Sequence, residues 1–240
     1  MSERRPIFLR AEWRDLAVLT YAIDEAILQP LLPQGLSLDR WDGKALVSLV
    51  GFRFLDTRIL GLPVPFWGSF PEVNLRFYVR CETPEGPRRG VVFIKEIVPY
   101  WPVAAIARGL YNENYHAKPM TCSAPGDAKV EYRWQWAGRE NRLAITRKTL
   151  PRMPDDDSLD TFIVEHHWGY AVSKQQQCIE YEVDRIPWRT YPVDGFEVDV
   201  DVAGVYGPQF CEALSKPPLS VVLAEGSPVT VSFGRRLRAT

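Results

Sequence analysis

The chain has 240 residues, 46% of them hydrophobic and 25% charged, with 29 Lys and Arg against 30 Asp and Glu for a formal net charge of -1. That balance belongs to an ordinary globular protein and excludes a general electrostatic attraction to nucleic acid or to an anionic membrane. Single all-β domains of this length are common, so one domain over residues 1–240 is the expectation.

From the N-terminus, the apolar run ahead of Arg10, Glu12 and Arg14 is too short for a secretory or spanning segment, and a cytoplasmic location is expected. Asp24 can cap a short helix with Ile27, Leu28, Leu31 and Leu32 on one stripe, ended by Pro33 and Gly35. Leu36 to Asp39 leads through Trp41-Asp42-Gly43-Lys44, with its Asp-Gly turn signal, into the apolar run Ala45 to Leu55, and reads as a hairpin. Residues 61–69 (GLPVPFWGS) are too apolar for a simple connector and are expected to fold over a cavity mouth or a partner surface.

Residues 71–81 alternate strictly. Val73, Leu75, Phe77, Val79 and Cys81 fall on one strand face and Glu72, Asn74, Arg76, Tyr78 and Arg80 on the other. Same-face neighbours lie roughly 7 Å apart, so a small polar molecule along the strand could touch an acid, an amide and a guanidinium. The plainer alternative is a solvated face. Gly90 to Val98 pairs with this strand across the Thr83–Arg88 loop, and its adjacent Lys95 and Glu96 must face opposite sides.

Pro102 opens a helix with Val103, Ile106, Ala107 and Leu110 on one stripe. Lys129 to Trp136 returns through the Ala137–Asn141 turn to Leu143–Arg147 as a further hairpin. After Asp155, Asp156 and Asp157, the spacing of Leu159, Phe162, Ile163, His166 and Tyr170 predicts a helix over 158–169. Ile179, Tyr181 and Val183 alternate with Glu180, Glu182 and Asp184, which read as a solvated strand edge. Val221–Leu223 is expected to pair with Val229–Phe233 across Glu225–Pro228.

Among candidate functional residues, Glu72 and His116 are the acid–base candidates, His116 because imidazole titrates near neutrality. Asn74 and Arg76 are candidates for ligand contact. Arg53 lies in an apolar strand and must reach an acid, water or an anionic ligand. Lys95 is either a displaced amine nucleophile or a stem that snorkels to a rim, and His166 a core or cavity-wall residue. No metal is expected: consecutive helical side chains such as His166 and His167 diverge by about 100°, and no H-E-x-x-H spacing is present. Cys81, Cys122, Cys178 and Cys211 are far apart and read as reduced core thiols. No Gly-rich phosphate loop follows a strand, so no nucleotide cofactor is expected.

Residues 45–54 (ALVSLVGFRF) with Thr57, residues 70–79 (FPEVNLRFYV) and residues 90–94 (GVVFI) resemble the YqjF-like family, a domain of unknown function. Residues 13–15 (WRD), 31–35 (LLPQG), 165–170 (EHHWGY) and 186–188 (IPW) fit the same pattern, so the likeness covers nearly the whole chain. That family resembles acetoacetate decarboxylase in fold, which implies a mainly β structure, a strongly curved, cone-like antiparallel β-barrel around a ligand-sized cavity with short helices about it. Acetoacetate decarboxylase works through a Schiff-base lysine of lowered pKa, carried in a Gly-Phe-Pro-Lys stretch after an alanine-rich helix. Here residues 108–120 keep the helix and Arg108 but lack that stretch, with Tyr115 or His116 where the lysine would fall and Lys118 out of register. The decarboxylase's acidic residue is matched by Glu72 or Asn74. These features imply a small carbonyl or carboxylate ligand in the barrel. The alternatives are a lyase or hydrolase without a Schiff base, or a non-catalytic module interacting through residues 61–70. Self-association is plausible; nucleic-acid and membrane partners are not expected.

Overall fold

A computed structural model describes residues 5–173 and 175–237; the side chains of Leu110 and Tyr111 lie outside the described set. The longest strand, β1 (Ile7–Ile23), has no counterpart in the sequence reading. From Leu16 to Tyr21 its residues are buried on both faces, with Leu16 and Val18 in one apolar cluster and Ala17, Leu19 and Tyr21 in the other. A strand covered on both sides shows no alternation to read.

The remaining strands are β2 (Ala45–Ile59), β3 (Phe70–Cys81), β4 (Arg88–Val98), β5 (Tyr115–Ala117), β6 (Met120–Cys122), β7 (Lys129–Trp136), β8 (Arg139–Arg147), β9 (Trp168–Val172), β10 (Cys178–Arg185), β11 (Val193–Asp199) and β12 (Ser220–Ser232), with a few two-residue pieces beside them. The large sheet runs β12-β1-β2-β3-β4-β9-β10, and β10 pairs back onto β12 at Val183 and Val231, which closes seven strands into a ring. Pairing is antiparallel except where β9 and β5 join β4 in parallel. A second sheet, β11-β8-β7-β6, packs against one face of the ring wall.

Alternation now acquires a direction. On β3, Val73, Leu75, Phe77 and Val79 pack outward against Val130, Tyr132, Trp134 and Leu143 of the second sheet. Phe70 and Tyr78 turn the other way, into a cluster with Phe52, Phe54, Val91 and Tyr181 inside the ring. The short helices sit around this frame. Asp24 caps α1 (Glu25–Leu28) by accepting from the Ala26 amide at 2.9 Å. Pro102 stands in the first turn of α2 (Trp101–Tyr111), and Ser158 caps α3 (Leu159–Val164) through the Thr161 amide at 3.1 Å. Among the described residues no helix is long and apolar enough to cross a membrane.

Four expectations change. The helix over 158–169 stops at Val164, because Trp168–Val172 is held as a strand between β4 and β10. Ser37 and Leu38 pair with Arg80 and Val79 of β3 rather than with β2, so only the tight Trp41–Lys44 turn of that hairpin forms. Residues 220–232 form one strand, with β1 partners from Ser220 to Ser232, instead of a hairpin. Gly226 lets it pass: its φ is +82°, and a Cβ there would stand 1.9 Å from the Trp13 carbonyl oxygen. Finally, Glu180 is no solvated edge residue. It is 2% exposed and accepts from Arg5 at 2.7 Å, Arg88 at 3.2 Å and Arg235 at 2.9 Å, which ties both ends of the described chain to the ring.

The contact between ring and second sheet depends on a missing side chain. A Cβ at Gly51 would lie 2.5 Å from the Tyr132 ring, whose hydroxyl donates to the Asp15 carbonyl at 2.7 Å. Gly51→Ala is expected to lose about 1–3 kcal/mol through overpacking. Gly195→Ala, with nothing near its Cβ, should stay within about 0.5 kcal/mol. Urea denaturation of both variants measures the difference.

Candidate functional site

Side chains from β1, β2, β3, β4, β9, β10 and β12 line one cavity of about 230 Å³. Contributions from seven ring strands to one space make it the ring's interior. Most of the wall is apolar, including Trp13, Phe52, Phe54, Phe70 and Val183. Val64, Pro65 and Trp67 from the 61–69 segment and Val103, Ile106 and Ala107 from α2 cover one side, while Phe66 points away at 94% exposure.

The polar part of the wall is concentrated. Glu72 and Arg76 of β3, Glu96 of β4, Glu113 and Tyr115 around the start of β5, His166, and Tyr181 and Arg185 of β10 all reach the cavity. Glu72 is 2% exposed; it accepts from Asn74 Nδ2 at 3.0 Å and from the Tyr115 hydroxyl at 3.1 Å. Burial raises its pKa to about 7 although both hydrogen bonds and Arg76 favour the anion. Glu113 accepts from the Tyr181 hydroxyl at 2.6 Å; burial and the nearby Glu72 raise its pKa to about 8. Glu96 is 1% exposed, its Oε2 has no partner, and burial with repulsion from Glu113 and Glu72 pushes its pKa well above the carboxylate range. Three carboxyls around the Tyr115 hydroxyl therefore hold protons at pH values where ordinary carboxylates have none.

Strand geometry explains the convergence. Asn74 lies opposite Glu96, and Glu96 opposite Tyr115, so three adjacent strands place them in one row. The register between β3 and β4 shifts at Ile94: Arg76 faces Phe93 and Leu75 faces Lys95. Such a bulge re-phases the strand, so Phe93 and Glu96 both look into the cavity while Ile94 and Lys95 look out. Gly169 lies opposite Tyr181, and a Cβ there would meet the Tyr181 ring at 2.1 Å, so only glycine lets that hydroxyl reach Glu113.

The cationic side is different. Arg185 donates to the Val164 carbonyl, stacks over Trp188 at 3.7 Å and has Glu165 nearby; burial lowers its pKa to about 10, which leaves it charged at neutral pH. Arg76 has no ion pair among the described residues and its Nε is buried without a hydrogen-bond partner; the Tyr78 ring lies 5.9 Å from the guanidinium, and Glu72 is near enough for its anion to feel the positive charge.

The expected site residues divide on this geometry. Glu72, Arg76 and His166 line the cavity, and Asn74 supports Glu72 from beside it. Both His166 nitrogens are engaged, with the Phe162 carbonyl at 2.8 Å and Asp39 at 3.0 Å, which leaves neither for a ligand. His116 stands outside: it interacts with Asn114 at 2.9 Å and lies edge-on to Trp136 at 5.2 Å, because the inward position on β5 belongs to Tyr115. Lys95 also points out, donating to the Val205 carbonyl with its ammonium 4.3 Å above Trp136. Arg53 pairs with Asp15 and donates to the Ser123 carbonyl at 3.3 Å, away from the cavity. Among the described residues no lysine lines the cavity.

Glu96, Glu113, Tyr115, Tyr181 and Arg185 were not singled out as site residues from the sequence. Glu96 had a signal, since either it or Lys95 had to face inward; Glu113 lies in a loop, Tyr115 in a strand of only three residues, and Tyr181 and Arg185 in a strand whose inward face looked apolar. Among the described residues no three His, Cys, Asp or Glu side chains are placed to hold a metal ion. The chemistry open to the cavity carboxyls is that of their own protons, which they can donate, share or take up.

Comparisons with known proteins agree with this architecture. The DUF2071 family, described as an uncharacterized conserved protein, matches residues 10–228. The uncharacterized protein YqjF of Bacillus subtilis is 28% identical over 187 residues, 75% of this chain and 74% of that one. Acetoacetate decarboxylase from Legionella pneumophila superposes with a TM-score of 0.67 at 14% identity, covering 99% of this chain and 92% of that one. The enduracididine biosynthesis enzyme MppR, complexed with pyruvate, does so with a TM-score of 0.65 at 14% identity, covering 99% and 93%. At such identities the likeness is one of fold.

The raised Glu72 pKa has a stability consequence. Between the ordinary value of 4.5 and about 7 the folded chain keeps a proton there that the unfolded chain has lost, so stability falls as pH rises through that window and levels off above it. The slope from this group is up to about 1.4 kcal/mol per pH unit. Glu72→Gln should flatten the curve by that amount, as read by urea denaturation from pH 5 to pH 8.

Proposed function

The chain belongs to the DUF2071 family, and we propose that it binds a small carboxylate compound with an apolar body, and with a carbonyl within reach of the acid cluster, in the cavity of the ring. Arg76 carries this reading. Its guanidinium is half-buried, has no ion pair among the described residues and keeps an Nε without a hydrogen-bond partner, which is costly to maintain, and it shares the cavity lining with Trp13, Phe52, Phe54 and Phe70. An anionic group on Arg76 with apolar atoms against those rings satisfies both surfaces, and Arg185 adds a second positive charge. The protonated carboxyls on the remaining wall can donate hydrogen bonds to a carbonyl oxygen, which a wall of ionised acids could not.

The fold relatives support the reading by their ligands, since MppR is seen with pyruvate. A Schiff base on a cavity lysine finds no support, because Lys95 and Lys118 both sit against Trp136 on the other side of the wall. The interaction-module alternative rests on exposed Phe66 and Leu62; the same segment sends Val64, Pro65 and Trp67 into the cavity wall, which suits a cover over a ligand.

The guanidinium assignment is tested with 3-phenylpropanoate and its neutral amide. The carboxylate should bind more tightly than the amide by isothermal titration calorimetry. Arg76→Ala should weaken the carboxylate about 10–100-fold, the worth of one charge-assisted hydrogen-bonded contact, and leave the amide nearly unchanged. Equal affinity of the wild-type protein for both compounds would exclude Arg76 as the anion site.

A further inference from the structure

The unusual content of this cavity is its acids. Three carboxyls and two tyrosines gather here, hydrogen-bonded as Tyr115 to Glu72 and Tyr181 to Glu113 and all close enough to act electrostatically on Tyr115, and binding an anion on Arg76 makes no use of them. Each occupies a different position with respect to protons. Glu72 has its anion supported by two donors, Asn74 and Tyr115. Glu96 is buried with one oxygen free of any partner in the cavity wall. Glu113 faces two ways: with Tyr115 it lines both the cavity and an outer cleft bounded by Arg108, Asn114 and His116.

We propose that the cavity catalyses proton transfer at the carbon next to the carbonyl of a bound oxo acid, interconverting its keto and enol forms with Glu72 as base and Glu96 as acid. This rests on the carboxylate-binding reading above. Arg76 and Glu72 are four residues apart on one face of β3, about 13 Å between their Cα atoms, a span that two extended side chains and a short oxo acid fill between them. The ligand carboxylate sits on Arg76 and its carbonyl oxygen meets the Glu96 carboxyl. Glu72 takes the proton from the α-carbon, the C–H pair becomes the C=C bond, and the carbonyl π pair moves to oxygen, which takes the proton of Glu96. The product is an isomer of the substrate; one proton has moved onto Glu72 and one off Glu96, and no oxidant, reductant or lysine is needed. Tyr115, in contact with Glu72 and close to Glu96, returns the proton between them, and Glu113 opens that network to solvent through the outer cleft.

The pKa values suit the roles, since a base near neutrality and a neutral acid beside it are what such a transfer requires. Closely placed carboxyls divide their protons unequally. Glu72, with two donors, is the one that ionises first.

The test uses phenylpyruvate and 2-oxobutyrate with the full chain in deuterated buffer. Binding is followed by calorimetry, and loss of the proton signal at the carbon beside the carbonyl by NMR. Exchange should run at least tenfold faster than in buffer. It should fall to the buffer rate in Glu72→Gln, as expected for a lost general base, with binding retained; Glu96→Gln should also slow exchange. Both variants replace a carboxyl by its neutral isostere, and their thermal midpoints show whether the fold is kept. Should Glu72→Gln not fold, Glu96→Gln alone decides: unchanged exchange in it overturns the proposal. Binding of either acid with exchange at the buffer rate overturns proton transfer and leaves the binding reading standing. Failure of both acids to bind overturns the binding reading and the inference with it. A mass increase after borohydride reduction with either acid would mean that an amine does the chemistry, and would also overturn the proposal.

Discussion

Closure of the seven-strand ring is the constraint from which the other features follow. Once β10 pairs with β12, each strand has one face toward the interior and one toward whatever covers the outside, so polar side chains on the inner face lose bulk water together. On β3 this happens to Glu72, Asn74 and Arg76 at once. Their response to lost solvent is mutual hydrogen bonding where partners are in reach, as with Asn74, Tyr115 and Glu72, and proton uptake where they are not. The Arg76 Nε has found no partner among the described residues.

That arrangement is expensive in stability. Apolar residues of similar volume at positions 72, 96 and 113 would avoid desolvating three acids, and the wall around them already has the aromatic side chains to pack such a core. Local choices that oppose a stable core gather at functional positions. The conflict here is confined to one end of the cavity, between β3, β4, β5 and β10, while the opposite wall keeps to ordinary apolar packing.

How much was legible in the sequence depended on face parity. The β3–β4 and β7–β8 hairpins were readable because one face of each strand is apolar and the other polar, and because Gly, Pro and a tight turn interrupt them. Parity also divided β3 correctly into Val73, Leu75, Phe77 and Val79 against Glu72, Asn74 and Arg76, but it could not say which side faced inward; that follows from ring closure, a long-range event. β1 was invisible where Leu16 to Tyr21 are buried on both faces, and β12 was split in two because Gly226 and Pro228 resemble a turn in a strand that pairs with β1 along its length. His166 and Tyr170 share a helical spacing with Leu159 only by coincidence, since pairing with β4 and β10 overrides it.

The site itself turned on single-residue phase. At 95 and 96 the bulge at Ile94 sends the glutamate in and the lysine out; at 115 and 116 the short parallel strand sends the tyrosine in and the histidine out. In each pair the residue with the more familiar chemistry, an amine or an imidazole, ended on the wrong side of the wall. A one-residue slip would exchange every member, and the interior would then hold Lys95 and His116 in place of Glu96 and Tyr115. A lysine beside two buried acids would remain a cation paired with them. Glutamate and tyrosine, both neutral when buried, instead leave Arg76 with no ion pair among the described residues and an unpartnered Nε. The same phase that removes an amine from the cavity thus puts a buried carboxyl and a phenol in its wall, within a fold shared with an acetoacetate decarboxylase at 14% identity.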